Sequence, residues 1–578
     1  MTKMTGAEMF VESLAQEKVE VIFGYPGGAV LPIYDELYDA DFEHIMPHHE
    51  QGGIHAADGY ARSTGKPGIC IATSGPGATN LVTGLANAYM DSVPIIAFTG
   101  QVPSSMLGTD AFQEADITGI TTPITKHNYL VQDVKELPRI IKEAFHIATT
   151  GRPGPVLVDL PKDIQQAEAE FVYPDQLDLP GYKPTYEGHG LQIKRAAEKI
   201  NEAQQPLLYV GGGAISSDAS QEIRELARKA SIPVTTTLNG LGAVDERDDL
   251  SIGMLGMHGS TEANLAISNA DLVIAVGARF DDRVTGDLDA FIPDAEVIHI
   301  DIDPAEVGKR VLVDIPIVGD VKNILSDLNP LVEENEHEEW LAEIDEWRKL
   351  DAGFKEEPDD VIVPHQILGA VDELTQGKAL ITTEVGQHQM WAAQFYQYSE
   401  PRSFISSGGL GTMGYGFPAG VGVQAGNRDR DVFVVAGDGS FQMNMQELAT
   451  VVKNDLSVNI LIFNNQYLGM VRQWQEMFYD KRYSSTCLGK KSDCPDDCSE
   501  PGEDCPEMVP DFVKLADSFG IAAKRITKPS EIKPAIEEAM NTEGAYLIDC
   551  IIDAEENVFP MVAPGGSLDN MVLKEDSE

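Results

Sequence analysis

A glycine-flanked aspartate and a later asparagine pair are the residues of this chain best suited to hold a divalent cation beside a phosphate group. Gly437-Asp438-Gly439 follows the apolar run Val432–Ala436, and Asn464-Asn465 follows the next apolar run, Asn459–Phe463. Both runs predict interior parallel strands, and a helix is predicted to begin near Ser440. The turn before that helix would present free backbone N–H groups and the positive end of a helix dipole, where a diphosphate can bind. The aspartate and the second asparagine would supply the oxygen ligands that Mg²⁺ prefers.

The first part of this motif has a simpler explanation when it stands alone. Aspartate between glycines is common in tight turns, so the tripeptide does not by itself distinguish a metal site from ordinary turn chemistry. The asparagine pair, separated from it by one predicted helix and one predicted strand, favours the metal site. A dense group of glycines just before this stretch, from Gly408 to Gly416, indicates close approach of the backbone to a ligand.

Four of the six cysteines lie in one acidic stretch. Cys487, Cys494, Cys498 and Cys505 have the spacing C-x6-C-x3-C-x6-C. Four thiolates could bind zinc tetrahedrally, but the short C-x2-C pairs of many zinc sites are missing. Three interpretations stay open: a zinc site, a disulfide pair, and a solvated acidic loop with free thiols.

Alternating helix and strand patterns are expected to position these residues on three α/β domains. The predicted domains span residues 1–172, 190–345 and 361–565, and the third contains a cysteine-bearing insert, 487–508. Strands separated by helices predict doubly wound parallel sheets. A proline-rich acidic linker is expected at 173–190, and a charged, partly helical connection at 333–360. The clearest predicted elements are helices Thr5–Lys18 and Leu191–Asn201 and strands Val21–Phe23, Ile69–Thr73, Ile95–Thr99, Val156–Leu160 and Leu207–Val210.

Composition narrows the class of protein. The 578 residues include 93 acidic and 42 basic side chains, for a formal charge of −51, so nucleic-acid binding is not expected. Acidic residues spread along the whole chain favour adaptation to high salt over an ordinary acidic surface, because salt screens their repulsion. The sequence shows no basic leader followed by an apolar core and no apolar run of roughly 18 residues, and it contains few cysteines. These features predict a cytoplasmic protein that neither crosses a membrane nor is secreted.

Over essentially its full length the chain resembles the acetohydroxyacid synthase (acetolactate synthase) catalytic subunits, a family of thiamine-diphosphate enzymes. The stretch 431–467 resembles their cofactor signature. The resemblance implies pyrimidine-binding, central FAD-binding and diphosphate-binding domains, with thiamine diphosphate, Mg²⁺ and FAD as cofactors. It assigns the metal to Asp438, Asn465 and the backbone carbonyl of Tyr467. It assigns thiamine diphosphate to Tyr25, Val385, Gly386, Gln387, His388, Gly411, Met413, Gly437, Asp438, Gly439, Ser440, Met443, Asn465, Leu468, Gly469 and Met470.

Glu50 is the catalytic residue that the resemblance implies. It would bind the aminopyrimidine of the cofactor, whereas an isolated glutamate at this position would more often be a surface residue or a helix cap. The following residues, QGGIHAADGYAR, favour the catalytic interpretation. A general-acid role for His48 and His49 is less favoured than a structural one. Because Glu50 and the metal ligands lie in different domains, the family places its active site between two subunits, and a homodimer or homotetramer is expected.

The remaining assignments concern the substrates and the flavin. Arg283 would grip the carboxylate of a second 2-oxoacid and Trp474 would contact its alkyl group. Met443, expected inside the helix after Gly439, would wedge between the cofactor rings, although an ordinary core methionine is the alternative. The pocket and its entrance would include Gly28, Phe112, Gln113 and Lys162, for each of which a packing or surface role is the alternative. FAD would contact Arg152, Gly211, Gly212, Gly213, Thr236, Leu238, His258, Arg279, Asp301 and Asp320.

The expected reaction is decarboxylation of pyruvate and transfer of the two-carbon unit to pyruvate or 2-oxobutyrate, in branched-chain amino-acid biosynthesis. A separate regulatory small subunit is the expected partner. A pyruvate oxidase that uses FAD as an oxidant is the alternative enzyme, and a catalytically silent cofactor-binding protein is the alternative outside enzymes. The insert departs from the family, which usually passes quickly from KRYSST to PDFVKLA; we hypothesise that it staples the family's mobile lid in a redox- or metal-sensitive way.

Overall fold

The computed structural model describes residues 3–350, 360–489 and 510–573. It contains three six-stranded sheets, all of whose strand pairs are parallel. Each sheet has a packed apolar core on both faces, because successive strand residues alternate between them. In the first sheet, Ile69 and Ile71 enter one core while Cys70 and Ala72 enter the other. The predicted class, α/β with three doubly wound parallel sheets, is confirmed.

The N-terminal domain is built around one of these sheets. Its strands are β1 (Lys3–Thr5), β2 (Val21–Gly24), β3 (Glu43–Ile45), β4 (Gly68–Ala72), β5 (Ile95–Gln101), β6 (His127–Leu130), β7 (Val156–Pro161) and β8 (Glu168–Glu170). Its helices are α1 (Gly6–Gln16), α2 (Leu31–Leu37), α3 (Glu50–Thr64), α4 (Pro76–Thr79), α5 (Val82–Asp91), α6 (Ile117–Thr121), α7 (Leu137–Thr149) and α8 (Lys162–Gln166). The main sheet has the order β3-β2-β4-β5-β7-β6, and β1 pairs separately with β8.

The middle domain has a different sheet order, β11-β10-β9-β12-β13-β14. Its strands are β9 (Pro206–Val210), β10 (Val234–Thr236), β11 (Ser251–Met254), β12 (Leu272–Val276), β13 (Glu296–Asp301) and β14 (Ile315–Val318). Its helices are α9 (Gly190–Glu202), α10 (Gly212–Ser216), α11 (Ser220–Lys229), α12 (Thr261–Asn269), α13 (Asp282–Thr285), α14 (Val321–Leu328) and α15 (Glu338–Arg348). Numbered within the domain, the order is 3-2-1-4-5-6, that of dinucleotide-binding sheets.

The C-terminal domain repeats the strand order of the first. Its strands are β15 (Leu380–Thr383), β16 (Phe404–Ser406), β17 (Val432–Gly437), β18 (Val458–Asn464), β19 (Ala522–Ile526), β20 (Tyr546–Ile551), β21 (Met561–Val562) and β22 (Met571–Val572). Its helices are α16 (Pro364–Thr375), α17 (Gln387–Phe395), α18 (Gly416–Gly426), α19 (Asp438–Phe441), α20 (Leu448–Lys453), α21 (Gly469–Phe478), α22 (Phe512–Ser518) and α23 (Ile532–Met540). The order β16-β15-β17-β18-β20-β19 matches the N-terminal sheet strand for strand.

The first and third domains share one apolar core, in which α3 crosses α18 at close range. Glycines make this approach possible. A Cβ atom on Gly59 would lie 2.8 Å from the carbonyl carbon of Ala419, and one on Gly422 would lie 2.6 Å from that of Ala56. Because α3 begins at Glu50 and α18 follows the glycine-rich loop, this crossing fixes the two sequence motifs relative to each other.

Most of the predicted elements are confirmed within a residue or two. One local prediction is wrong: the helix after Gly437 begins at Asp438, close to the predicted start, but it ends at Phe441, before Met443. Met443 therefore lies in a turn between helices, not inside one. The linker after β8 carries no helix or strand until α9 begins. Within the described ranges, no helix combines the length and apolarity needed to cross a bilayer.

Candidate active site

The residues singled out from the sequence lie where the strand order of each sheet reverses, which is where ligands bind in open α/β sheets. In the C-terminal sheet this point lies between β15 and β17, which are followed by Val385 and Asp438. In the N-terminal sheet it lies between β2 and β4, and the segment 25–28 follows β2. In the middle sheet it lies between β9 and β12, followed by Gly211 and Gly277.

Asp438 and Asn465 come together at the carboxyl ends of β17 and β18. The carboxylate of Asp438 accepts the backbone N–H of Gly439 at 2.8 Å and that of Gln466 at 2.7 Å. Burial raises the pKa of Asp438 to about 7, and these two N–H donors oppose the rise. Among the described residues no cationic side chain pairs with this buried carboxylate, so a divalent cation would supply the missing positive charge.

The backbone around Asn465 is shaped for a ligand. The side-chain carbonyl of Asn465 accepts the N–H of Tyr467 at 3.0 Å, and the residue between them, Gln466, has a left-handed φ of 61°. Such strain in a residue other than glycine is concentrated at binding sites. The chemistry of Asp438, Asn465 and a main-chain carbonyl fits the oxygen preference of Mg²⁺.

Gln387 ties this metal-site loop to the C-terminal segment. Its side-chain oxygen accepts the amide of Asn465 at 3.4 Å, and its amide donates to Gln473 at 2.9 Å. Gln473 in turn accepts the N–H of Val558 at 2.9 Å. A side chain on Gly469 would overlap Gln387, which explains the glycine at the start of α21.

The other C-terminal residues expected to contact thiamine diphosphate lie close together, packed against nearby glycines. Ideal Cβ atoms show that Gly437 abuts the ring of His388, Gly439 abuts Leu468, Gly411 lies near Val385 and Gly414 abuts Met443. Gly386 also abuts His388, and Met413 reaches Gly439 at 3.9 Å. Ser440 is buried in α19, whereas the side chain of Met443 is exposed, as a wedge against a ligand would be. The structure thus groups the C-terminal residues of the predicted set.

Glu50 is the first residue of α3. It belongs to a second group of predicted site residues, the N-terminal group, which the N-terminal domain carries. Asn80 donates its amide to the Glu50 carboxylate at 2.9 Å, and the other carboxylate oxygen lies 3.2 Å from an ideal Cβ on Gly77. Gln113, with a left-handed φ of 60°, packs on Gly75 in the same loop. The predicted residues Tyr25, Gly28, Phe112 and Lys162 lie in the same domain, and the side chain of Phe112 is 87% exposed.

A cavity of about 670 Å³ lies between the three domains. This size is within the usual range for cofactor sites. The expected flavin contacts Arg152, Gly211, Gly212, Gly213, Leu238, His258, Arg279, Asp301 and Asp320 all line it, together with Val385, Gly386, Gly411 and Met470 from the thiamine set. Thr236 does not; it lies buried at the end of β10, and its neighbour Thr237 reaches the cavity instead.

The glycines and charges of this cavity fit a dinucleotide. A Cβ on Gly213 would lie 2.8 Å from the Cα of Gly277, so the turn after β9 packs tightly on the turn after β12. Burial lowers the pKa of His258 to about 4 and raises that of Asp301 to about 6. His258 Nδ1 has no hydrogen-bond partner among the described residues. An unpaired buried nitrogen on a cavity wall is available to a ligand.

Arg283 and Trp474 meet at the wall of the cavity, although they come from different domains. The guanidinium carbon of Arg283 lies 5.9 Å from the centre of the Trp474 ring. Both residues line the cavity. The buried indole N–H of Trp474 has no acceptor among the described residues, and the Arg283 side chain is largely exposed, so both retain free donors.

In the described part of the chain, Glu50 and the metal-site residues make no direct contact through hydrogen bonds. The N-terminal group does not line the cavity. Two residues that sequence reasoning missed do bridge the domains. Glu447 accepts the backbone N–H of His48 at 3.0 Å, and Asp91 accepts that of Gly408 at 2.9 Å. Asp91 lies outside every predicted motif, and Glu447 lies within the stretch 431–467 without a predicted role there, because each acts on a distant part of the chain.

The cysteine cluster falls mostly outside the described residues, which include only Cys487 of the four. Cys487 forms an antiparallel bridge with Tyr467 and its thiol is free in the described part of the chain. The start of the insert is therefore attached to the loop that carries the metal-site residues. The zinc, disulfide and free-thiol interpretations stay predictions.

Comparisons with known proteins agree with this geometry. Three family models match: the N-terminal TPP binding domain of thiamine pyrophosphate enzymes over residues 4–120, their central domain over 193–328 and their C-terminal TPP binding domain over 384–550. The fold, the strand-end sites and these matches together define a thiamine pyrophosphate enzyme.

Three relatives narrow the family further. The probable acetolactate synthase large subunit of Methanocaldococcus jannaschii is 50% identical, with 98% of this chain and 95% of the relative covered. The acetolactate synthase large subunit of Corynebacterium glutamicum is 48% identical, covering 98% and 89%. The chloroplastic acetolactate synthase of Arabidopsis thaliana is 48% identical, covering 99% and 85%. The chain belongs to the acetolactate synthase family of thiamine pyrophosphate enzymes.

Proposed function

We propose that this chain is the catalytic subunit of an acetolactate synthase, which decarboxylates pyruvate and transfers the two-carbon unit to a second 2-oxoacid. The three matched domains and the named relatives support this reaction class. The observation that carries the proposal is the pairing of Arg283 with Trp474 in the cavity that Val385, Gly386 and Gly411 also line. With pyruvate as acceptor the product is 2-acetolactate, and with 2-oxobutyrate it is 2-aceto-2-hydroxybutyrate.

The C-terminal group would hold thiamine diphosphate and its metal. When bound, this cofactor supplies the carbon that adds to the keto group of pyruvate and takes up the electron pair left by CO₂. Asp438, Asn465 and the carbonyl of Tyr467 would bind Mg²⁺. The backbone turns at Gly386 and Gly439 would approach the diphosphate, and the exposed Met443 would contact the rings. Ser440 and Gln387 have the burial and polarity expected of cofactor contacts.

Glu50 would hold and move the proton of the aminopyrimidine. Its carboxylate is oriented by Asn80 at 2.9 Å, which leaves the second oxygen free to face a ligand. Following the family resemblance, in which the active site lies between two subunits, we infer that Glu50 of one copy completes the site of a second copy; Phe112 of the same domain is exposed. A homodimer is the smallest assembly that satisfies this geometry, and a homotetramer would satisfy it too.

The acceptor 2-oxoacid would bind at Arg283 and Trp474. The guanidinium can bind a carboxylate through two parallel hydrogen bonds, while the indole face limits the length of the alkyl group. The contacts of His48 support a structural rather than acidic role for the histidine pair: its Nδ1 contacts Thr450 Oγ1 at 2.9 Å. Partial desolvation lowers its pKa although the residue is exposed, and nearby Lys453 adds to the effect. A neutral histidine held in this way would not protonate the nucleophile before it reaches the acceptor.

FAD is the cofactor we propose for the cavity of the middle domain. The strand order, the glycine turn Gly211–Gly213 and the cationic side chains Arg152 and Arg279 support a dinucleotide with a negatively charged pyrophosphate. When bound, a flavin is redox-active, but the acyl transfer above needs no net oxidation. The comparisons favour the synthase over a pyruvate oxidase.

Several further proposals rest on the relatives and the composition. Two of the relatives are named large subunits, so we propose that a separate small subunit regulates this chain. The dispersed charge of −51 supports a cytoplasm of high salt concentration, where screening relieves repulsion. Activity and stability should then both rise with KCl concentration into the molar range.

Competition between acceptors tests the proposal at the residues that carry it. Purified protein is given pyruvate and 2-oxobutyrate together, and the ratio of the two acetohydroxy acids is measured by mass spectrometry. Trp474→Leu should change this ratio by roughly tenfold or more, because a pocket that fits one methylene discriminates by about 10–200-fold. Arg283→Lys should raise KM for both acceptors and leave the ratio close to wild type.

Trp347→Leu is the matched control, since Trp347 packs against Trp340 in the middle domain and does not line the cavity. An unchanged product ratio in Trp474→Leu, with the protein folded and active, would refute the assignment of the acceptor site.

A further inference from the structure

We propose that Asp91 is a positioning residue that couples the flavin cavity to the glycine-rich loop of the thiamine site, so that flavin and thiamine diphosphate bind cooperatively. The inference rests on the proposed function, because it takes FAD as the occupant of the cavity. Asp91 is the last residue of α5 and lies where all three domains meet.

The Asp91 carboxylate is fully buried and both of its oxygens are occupied. Oδ2 accepts the N–H of Gly408 at 2.9 Å and pairs with Arg62 Nη2 at 2.9 Å. Oδ1 accepts the N–H of Gly409 at 2.8 Å and the amide of Asn239 at 3.3 Å. One side chain from the N-terminal domain therefore fixes two consecutive residues of the C-terminal domain and one residue of the middle domain.

The position of Asp91 has no local explanation. A carboxylate at the C-terminal end of a helix is repelled by the helix dipole. The next residue, Ser92, has a left-handed φ of 60°, a conformation that is strained for any residue with a side chain. The tertiary contacts must therefore offset both costs, which indicates that the carboxylate is placed here for the loop it holds.

Toward the thiamine site, the network continues through the glycine-rich loop into the catalytic helix. Ser407 Oγ donates to Asn87 at 2.6 Å and accepts the N–H of Thr412 at 2.8 Å. Asn87 donates to Asp58 at 3.1 Å, and Asp58 pairs with Arg62 at 2.6 Å. The loop that carries Gly411 is thus held by Asn87 and Asp91 of α5, and Asn87 links it onward to Asp58 of α3.

Toward the flavin cavity, the end of α5 that carries Asp91 forms part of the wall, while the Asp91 side chain itself is buried behind it. Met90, Asp91 and Ser92 all line the cavity, and so does Asn239. Ser92 Oγ accepts the guanidinium N–H of Arg152 at 2.8 Å, and Arg152 is one of the proposed flavin contacts. A ligand that fills the cavity would fix these wall residues and with them the two oxygens that hold Gly408 and Gly409.

The hydrogen bonds of Asp91 depend on its charge, so replacing one carboxylate oxygen by an amide nitrogen should disturb them. Burial alone would lower the pKa of Arg62, but Asp58, Tyr415 and Asp91 raise it well above its usual range. An asparagine at position 91 has only one acceptor oxygen, so its amide group would face donors that the second carboxylate oxygen now satisfies. We expect the loop to shift while the size of the side chain is kept.

Cooperative binding must act equally in both directions. If flavin tightens thiamine diphosphate by some factor, thiamine diphosphate tightens flavin by the same factor, and factors of about 5–150 are typical of coupled sites. Replacing a residue that only stabilises the fold would lower both affinities but leave this coupling factor unchanged. The readout that identifies a coupling residue is therefore the affinity for thiamine diphosphate with FAD divided by the affinity without it.

The experiment measures both affinities on the full chain with no substrate present. FAD binding is followed by flavin fluorescence, and thiamine diphosphate binding with excess Mg²⁺ by calorimetry, each with and without the other cofactor. Wild-type protein should bind thiamine diphosphate at least about fivefold more tightly in saturating FAD. Asp91→Asn should reduce this factor to about one. The exposed residue Asp39 supplies the control, and Asp39→Asn should keep the wild-type factor.

Asn239→Ala is the second variant, because it removes the middle-domain contact and leaves the Asp58–Arg62–Asp91 group intact. It should also bring the factor close to one at saturating FAD, and it decides the matter if Asp91→Asn does not fold. If FAD binds to the wild type without changing its affinity for thiamine diphosphate, the inference is overturned while the proposed flavin site stands. Failure of FAD to bind at all would overturn the proposed flavin site and the inference with it.

Discussion

The crossing of α3 and α18 makes a prediction that a single methyl group can test. A Cβ on Gly422 would overlap the carbonyl oxygen of Ala56 and lie 2.6 Å from its carbonyl carbon. Carbon atoms pack about 3.5–4.0 Å apart, so Gly422→Ala must separate the helices by about 1 Å. Overpacking of this kind costs about 3 kcal/mol, and the better helix propensity of alanine offsets about 1 kcal/mol of it. We expect a net destabilisation of about 2 kcal/mol.

Gly369→Ala is the matched control. Gly369 lies in α16 with open space around the position of a Cβ, so there the same substitution should stabilise the protein by up to about 1 kcal/mol. Denaturant titration followed by circular dichroism measures both effects. Because α3 begins at Glu50, Gly422→Ala should also lower activity, while Gly369→Ala should retain it. Equal stability of the two variants, or a larger loss in Gly369→Ala, would refute the packing argument.

Three further predictions concern charge and catalysis. Burial raises the pKa of Glu447 from 4.5 to about 7, so its contribution to stability is complete below pH 4.5 and is lost as the pH rises through 7. The free energy of unfolding of Glu447→Gln, relative to that of wild type, should therefore rise by up to about 3 kcal/mol between pH 4.5 and 8 in denaturant titrations. A difference between the two proteins that does not change with pH would contradict the raised pKa. Glu50→Gln should lower kcat by about 10²–10⁴-fold while calorimetry still detects thiamine diphosphate binding; wild-type kcat would remove Glu50 from the proton transfer. EDTA should abolish activity until Mg²⁺ is restored, and Asp438→Asn should raise the Mg²⁺ needed for half-activation by more than about tenfold, since even partners that only orient a ligand contribute about 10–100-fold.

The sequence predicts the three sheets well because their strands are unbroken apolar runs. Val432–Gly437 and Val458–Asn464 are buried on both faces, so their pattern is strong and their ends fall within a residue of expectation. The helix after Gly437 is harder to predict from the sequence, because Asp438 begins it directly and it ends after one turn. The resulting turn exposes Met443, which the sequence had placed inside a helix.

The residues that position the site could not be predicted, because their partners are far apart in the chain. Glu447 meets His48 across 399 residues, and Asp91 meets Gly408 across 317. Their burial and donors exist only once the domains have packed. Arg283 and Trp474 were predicted as separate contacts through the resemblance, while their stacking at 5.9 Å follows from the docking of the middle domain on α21.

The most direct test of the proposed reaction is product analysis with oxygen uptake recorded in the same vessel. Purified protein is supplied with pyruvate, 2-oxobutyrate, thiamine diphosphate, Mg²⁺ and FAD in concentrated KCl, and the products are identified by mass spectrometry. The synthase assignment predicts 2-acetolactate and 2-aceto-2-hydroxybutyrate with no oxygen-linked product. Acetate or acetyl phosphate formed in step with oxygen loss would contradict it and make the protein an oxidase.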